Sequence, residues 1–187
     1  SGKTTLSNQI VEKFKNGIVL STDNYYKTGL ISKLLSKFVE GYFDRSISFN
    51  KILFKKDFYF ILKNGISMHE CFYDFEKKKI KTFLNNLNNI NLLIVEGIFA
   101  KEFSSTLCDQ SYSLLELKIN KNECMKRVVG RDLAERGKTK KKAEKDFLKS
   151  WIIYHEKLKN KSKQNIKNEF IITQNTDIDK ILKNLFD

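Results

Sequence analysis

Ser1-Gly2-Lys3-Thr4-Thr5 opens the chain, and its reading decides how everything after it is read. Gly-Lys-Thr is the second half of the phosphate-binding loop G-x-x-x-x-G-K-[ST]. In that loop backbone N–H groups wrap phosphates, the Lys ammonium reaches the outer ones, and the Ser/Thr hydroxyl joins the shell of a bound magnesium. Leu6, Ile10, Val11 and Phe14 then recur on one side of a helical run. That run puts a helix N-terminus, with its anion-favouring dipole, directly under the loop. A motif this short also occurs by chance, with an ordinary helix cap as the bland reading, so the rest of the chain has to decide. The first Gly of the pattern and the strand that feeds it fall before Ser1, so the first strand of the fold is expected to be missing from the chain.

Length and composition narrow the class. A chain of 187 residues is expected to form one domain with a full core. Its 41% hydrophobic and 12% aromatic content exclude a disordered chain. The longest apolar run, Leu92 to Val95, is far shorter than a membrane span and reads as a buried strand. Cys71, Cys108 and Cys124 are odd in number and lack metal-ligand spacing, as expected of reduced cytoplasmic thiols that fill core. The net charge of +13 invites a nucleic-acid reading, but the lysines are spread over the whole chain and form no patch. The arginines are concentrated instead. There are only four, and Arg127, Arg131 and Arg136 share one short stretch, where a guanidinium fork suits bidentate phosphate binding.

Periodicity orders the elements. A helix is expected from Thr5 to about Lys15, then a short strand over 18–20 that stops at Ser21-Thr22-Asp23-Asn24. An amphipathic helix is expected over 30–39, a loop at 41–44 and a helix from Phe49 to Leu62. Ile66 to Phe75 and Lys79 to Phe83 read as a small hairpin. Strands at 92–95, 114–119 and 170–172 alternate with helices at 123–135, 141–158 and 178–185. The alternation predicts an α/β fold: a P-loop three-layer α/β/α sandwich with a mostly parallel sheet, the hairpin as an insertion and a helical lid. The lysine run 138–142 reads as a charged, mobile junction of that lid.

Phosphoryl transfer requires a phosphate cradle, a metal, a carboxylate to orient the acceptor and cations for the transferred charge. Gly2, Lys3, Thr4 and Thr5 supply the cradle, with the Thr4 hydroxyl on the metal. Asp23, after the first strand, is placed to take the acceptor's proton; its bland alternative is a loop cap. Glu96, ending the most apolar strand, is the candidate metal-side acid, against a merely solvated strand end. Glu123, Arg127, Arg131 and Glu135 are spaced by fours, which a surface ladder worth about 0.3–0.5 kcal/mol per pair also explains. Arg136 stands outside that ladder and is the arginine expected to close on the nucleotide. His69 and His155 have no partner pattern. Tyr25, Tyr26, Tyr42, Phe43, Tyr73 and Phe75 gather in loops, where they either stack a planar base or pack the core.

These stretches resemble a known family. Ser-Gly-Lys-Thr-Thr, Val-Leu-Ser-Thr-Asp-Asn-Tyr-Tyr-Lys (19–27), Tyr-Phe-Asp (42–44), Phe-Tyr-Asp-Phe (72–75), Ile-Val-Glu-Gly-Ile (94–98) and Arg-Asp-Leu-Ala-Glu-Arg-Gly-Lys (131–138) are similar, in order and across nearly the whole chain, to the uridine–cytidine kinases. The resemblance implies that Asp23 is the catalytic base, with Lys3 and Arg136 beside it in catalysis. It implies that Arg131 and Arg136 are lid arginines, with Arg127 near another. Tyr26 and Asp44 fall on nucleoside contacts, Tyr73 and Phe75 on the base pocket, and Glu96 on the metal-side acid. The chain departs from the family at Asn50, where a second Asp is usual, at Lys78, where a base-contacting His is usual, and at Val128, often an Arg. The family's usual prolines are absent beside Asp44 and before Tyr73, where Arg45 and Cys71 stand nearby.

The expectation is a cytoplasmic kinase that uses ATP or another nucleoside triphosphate with Mg2+ on a small hydroxyl acceptor, uridine or cytidine first, in pyrimidine salvage. The same fold with another acceptor, as in phosphoribulokinase, pantothenate kinase or glycerate kinase, is the near alternative. A non-catalytic basic protein binding nucleotide or nucleic acid is the distant one. No membrane or nucleic-acid partner is expected, and a homo-oligomer is left open.

Overall fold

The structure is a computed structural model of the chain. It describes residues 2–14, 16–64, 70–74, 79–83, 90–107, 109–158, 166–173 and 175–186. The chain folds as two compact units, residues 3–104 and residues 1–2 with 105–187.

In the first unit, α1 (Lys3–Lys13) leads by a short turn into β1 (Gly17–Ser21). The helix begins two residues earlier than its apolar spacing predicts, taking Lys3 and Thr4 into its first turn. Leu6 and Ile10 form its buried edge. Gly17 packs closely here, since a Cβ on it would crowd the Val11 side chain at 3.1 Å. β1 pairs in parallel with β4 (Leu92–Glu96), in a register running from Gly17 opposite Leu92 to Ser21 opposite Glu96. The run Leu92–Val95 is half-buried and not the fully buried strand expected, since β1 is its only partner among the described strands.

Between them lie α2 (Leu30–Phe38), α3 (Lys51–Asn64) and the antiparallel hairpin of β2 (Glu70–Asp74) and β3 (Lys79–Phe83), all in the expected places. The Asn50 side chain accepts the Leu53 N–H at 3.0 Å and so caps the start of α3. Phe54, Phe58 and Ile61 then fall on one helical face and are buried. The amphipathic α2 buries Ser32 and leaves Leu30, Ile31, Leu34 and Phe38 exposed. A short α4 (Ala100–Ser104), too brief to show a period in the sequence, brings Phe103 inward.

The core of this unit is aromatic. Phe54 meets Tyr25 at 5.4 Å and Phe103 at 4.7 Å, both edge-to-face, while Phe49 lies 4.2 Å from Tyr26 and 4.9 Å from Phe99. Edge-to-face pairs add roughly 0.5–1.5 kcal/mol each beyond the area they bury.

The second unit pairs β5 (Tyr112–Leu117) in parallel with β6 (Ile166–Ile172), and carries α5 (Lys121–Arg136), α6 (Lys140–Leu158) and α7 (Ile178–Phe186). β6 starts four residues before the apolar run that marks it. Lys167 and Glu169 point outward between half-buried neighbours, and this alternation hides the strand from a search for continuous hydrophobicity. Asn120 caps α5 by accepting the Glu123 N–H at 2.8 Å, and Gly137 ends it in a left-handed conformation. On α6, Trp151 lies between Phe147 at 5.5 Å and His155 at 4.4 Å. No helix among the described residues is long and apolar enough to cross a membrane.

Gly97 closes the parallel pair of the first unit with φ 132°, a conformation side-chain-bearing residues rarely adopt. A Cβ at this position would stand 1.9 Å from the Thr22 hydroxyl oxygen, which is buried without a hydrogen-bond partner. Gly97→Ala should therefore lower stability by about 3 kcal/mol, combining overlap with backbone strain. Adding Thr22→Ala should recover the overlap and leave the strain. Urea denaturation of the two single variants and the double variant checks this; simple additivity would contradict it.

Candidate active site

The carboxyl ends of β1 and β4 lie side by side, so their parallel register sets Ser21 directly across from Glu96. The Ser21 hydroxyl donates to Glu96 Oε1 at 2.5 Å, and the Thr4 hydroxyl, from the first turn of α1, reaches Glu96 Oε2 at 3.5 Å. Glu96 is only 9% exposed, so its strand end is not the solvated terminus that a bland reading allows. Among the described residues its hydrogen-bond partners are two neutral hydroxyls, which occupy its oxygens without neutralising its charge.

Asp23 sits two residues beyond Ser21, half-buried in a 3-10 turn over Thr22–Tyr25. Thr22 packs against Gly97, so the loop after β1 rests on the loop after β4. Asp44, also half-buried, ends a second 3-10 turn over Tyr42–Asp44 that starts from a left-handed Gly41. The Tyr26 hydroxyl donates to the carbonyl of Phe43 at 3.3 Å, and its ring packs on Phe49. Tyr25, Tyr26 and Tyr42 are all buried. Tyr73 is on β2 opposite Ile80, while Phe75, Lys78 and His69 lie outside the described residues. Thr5 is exposed in the first turn of α1.

In the second unit, Arg127 Nε bonds Glu123 Oε1 at 2.7 Å, the first rung of the anticipated ladder. Its Nη1 would be 3.4 Å from a Cβ on Gly2, so Arg127 borders the start of the phosphate-loop sequence. The ladder then gives way. Arg131 Nη2 and Arg136 Nη1 both contact Asp132 Oδ1 at 3.2 Å, and Lys138 Nζ takes Oδ2 at 2.9 Å. Arg136 is therefore not outside an i,i+4 pattern, as its distance from Arg131 suggests; Asp132, four residues before it, is its partner. The lysine run is split as well. Lys138 bridges Asp132 and Asp146, and Lys140 to Lys142 belong to α6 and not to a junction.

Burial pushes the Asp132 pKa up, but the hydrogen bond from Lys138, the charges of Arg136 and Lys138 and the bond from Arg131 outweigh it and hold the carboxyl below its usual range. Burial acts to lower the Lys138 pKa, and its bonds to Asp132 and Asp146 more than reverse that. Ser21 and Asp132 are the two site residues that motif reading passes over. Asp132 had a signal, a carboxylate one residue after Arg131 and four before Arg136. Ser21 had none, since only the strand register brings it to Glu96.

Comparison with known proteins places this geometry in context. The phosphoribulokinase/uridine kinase family matches residues 1–164. A uridine kinase of Borrelia hermsii (strain HS1 / DAH) is 30% identical over 152 residues, covering 79% of this chain and 70% of that protein. One of Borrelia duttonii (strain Ly) is 30% identical over 154 residues, covering 80% and 71%. A solved structure from Silicibacter sp. TM1040, described as a fructose transport system kinase, superposes with a TM-score of 0.63 at 16% identity, over 88% of this chain and 82% of that one. That likeness concerns the fold alone, which is the α/β fold of the P-loop kinases.

The lowered Asp132 pKa carries a pH signature. Its contribution to stability is fully present above the usual carboxylate range and is lost as pH falls through the depressed value. Asp132→Asn should melt below the wild type near pH 6, and the gap should narrow as the pH falls below the usual carboxylate range, where the wild-type carboxyl takes up its proton. Melting curves across that range check it; a constant gap would assign the loss to shape and not to charge.

Proposed function

Since the chain belongs to the phosphoribulokinase/uridine kinase family, we propose that it works as one kinase domain and transfers the γ-phosphoryl group of ATP to the 5′-hydroxyl of uridine or cytidine, a step of pyrimidine salvage in the cytoplasm. Family membership makes it a phosphotransferase that uses a nucleoside triphosphate. The observation that carries the finer reading is the convergence of Thr4, Ser21 and Glu96 at the paired ends of β1 and β4, with Asp23 two residues on.

Thr4 Oγ1 and Glu96 Oε2 are hard oxygen donors of the kind Mg2+ takes and would hold it here. When bound, that ion shields the charge of the outer phosphates. Gly2, Lys3 and Thr5 hold the phosphates through backbone donors and the Lys3 ammonium at the start of α1. Asp23 takes the proton of the acceptor hydroxyl as its oxygen bonds to the γ-phosphorus. The bond from that phosphorus to the bridging oxygen breaks, and its electron pair leaves on ADP. Arg131 and Arg136 bind oxygens of the outer phosphates, where a fixed fork serves better than an ammonium. Asp44 receives the nucleoside's hydroxyls, and Tyr26, bonded to the carbonyl of the preceding residue, steadies that turn. Tyr73, Phe75 and Arg127 complete acceptor recognition.

A second reading keeps the chemistry and changes the acceptor to an alcohol such as those taken by phosphoribulokinases, pantothenate kinases or glycerate kinases. What favours it is Asn50, which stands where the resemblance expects a second Asp and whose side-chain oxygen is used to cap α3.

Asp23→Asn keeps shape and removes the base. Turnover should fall roughly 10²–10⁴-fold with ATP affinity unchanged. Single-turnover phosphorylation of uridine, with parallel ATP titration, measures both. A loop cap would behave otherwise, because Asn caps about as well as Asp, and retained turnover would sink the mechanism. Release of ADP across a panel of nucleosides, sugar phosphates and pantoate-type alcohols should peak with uridine or cytidine; a peak elsewhere selects the second reading.

A further inference from the structure

The end of α5 contains a carboxylate whose surroundings exceed what a surface helix requires. Asp132 is 3% exposed, although the residues on either side of it are exposed. A carboxylate so withdrawn from water has to be paired, and it is paired three times. Oδ1 takes Arg131 and Arg136 at 3.2 Å each, and Oδ2 takes Lys138 at 2.9 Å. Its backbone carbonyl accepts the N–H of Gly137 and, at 3.2 Å, that of Lys138. Lys138 continues to Asp146 Oδ2 on α6 at 2.9 Å. One residue thus ties the last turn of α5, its cap and the first turns of α6.

Two features set this apart from a simple ion pair. The two arginines meet the same oxygen, each by one terminal nitrogen, so a single atom aligns both forks while each guanidinium carries five N–H donors. Their side chains are 40% and 30% exposed, within reach of a ligand.

Resting on the phosphotransferase reading above, we propose that Asp132 is a positioning residue: it holds Arg131 and Arg136 side by side in one orientation, so that the pair meets the outer phosphates of an incoming nucleoside triphosphate already ordered. Long, unpaired arginine side chains would lose that freedom at the moment of binding, and prior ordering is what makes a site tight. Asp132 touches neither substrate nor the reacting atoms, and acts through the arginines.

The test compares ATP and AMP affinities of the wild type and Asp132→Asn by titration, at a temperature where melting curves show both folded. ATP should bind about tenfold more weakly to the variant, with AMP affinity within about twofold, since AMP lacks the outer phosphates the arginines serve. Equal losses for ATP and AMP would mean that Asp132 only braces the fold, and would overturn the proposal. So would unchanged ATP affinity, or tighter ATP binding, which would make the carboxylate a competitor of the phosphates. If Asp132→Asn does not fold, Asp132→Glu decides: it keeps the charge and displaces it by one methylene, so the same ATP-selective loss is expected and parity with the wild type overturns the idea. Failure of the wild type to bind ATP would instead remove the phosphotransferase reading, and this inference with it.

Discussion

A carboxylate withdrawn from water has to be met by donors, and at Glu96 the Ser21 and Thr4 hydroxyls meet it. That contact fastens three elements at one point: the first turn of α1, the end of β1 and the end of β4. It also explains why the point can serve chemistry. An unpaired buried charge is expensive, yet one neutralised by a cation has nothing left to offer a metal. Hydroxyl donors resolve the conflict, since they satisfy the lone pairs and leave the charge in place.

Asp132 shows the opposite solution. It too is buried, but its donors are cations, so its charge is consumed in holding them. In the proposed function the two acids have different tasks, Glu96 offering negative charge to a cation and Asp132 ordering its arginines for phosphate. Neither could be exchanged for the other without changing what surrounds it.

Much of this was legible in the sequence because it is written in short-range patterns. Helical spacing located α3, α5, α6 and α7, and placed the start of α1 within two residues. Alternating elements gave the parallel pairs, and the apolar approach to Glu96 pointed to a buried end. What escaped depends on distance along the chain. Ser21 reaches Glu96 only through a strand pairing that spans 75 residues. The aromatic cluster of Tyr25, Phe49, Phe54, Phe99 and Phe103 is assembled from three separate stretches of chain, so loop position alone could not tell a base-stacking ring from a core ring. β6 was shortened because outward-facing Lys167 and Glu169 interrupt its apolar run. The lysine run misled for a different reason: composition suggests solvent, but Lys138 has a buried carboxylate within reach.

The chain's single tryptophan, Trp151, stacks on α6 between Phe147 and His155, whereas five of the seven tyrosines fall in residues 3–104. The two compact units therefore carry separate optical labels. Indole emission follows the unit that holds the arginines, and tyrosine absorbance follows mainly the unit that holds Glu96. A single denaturation followed in both channels shows directly whether the halves come apart together or in turn, with no label added and no residue changed.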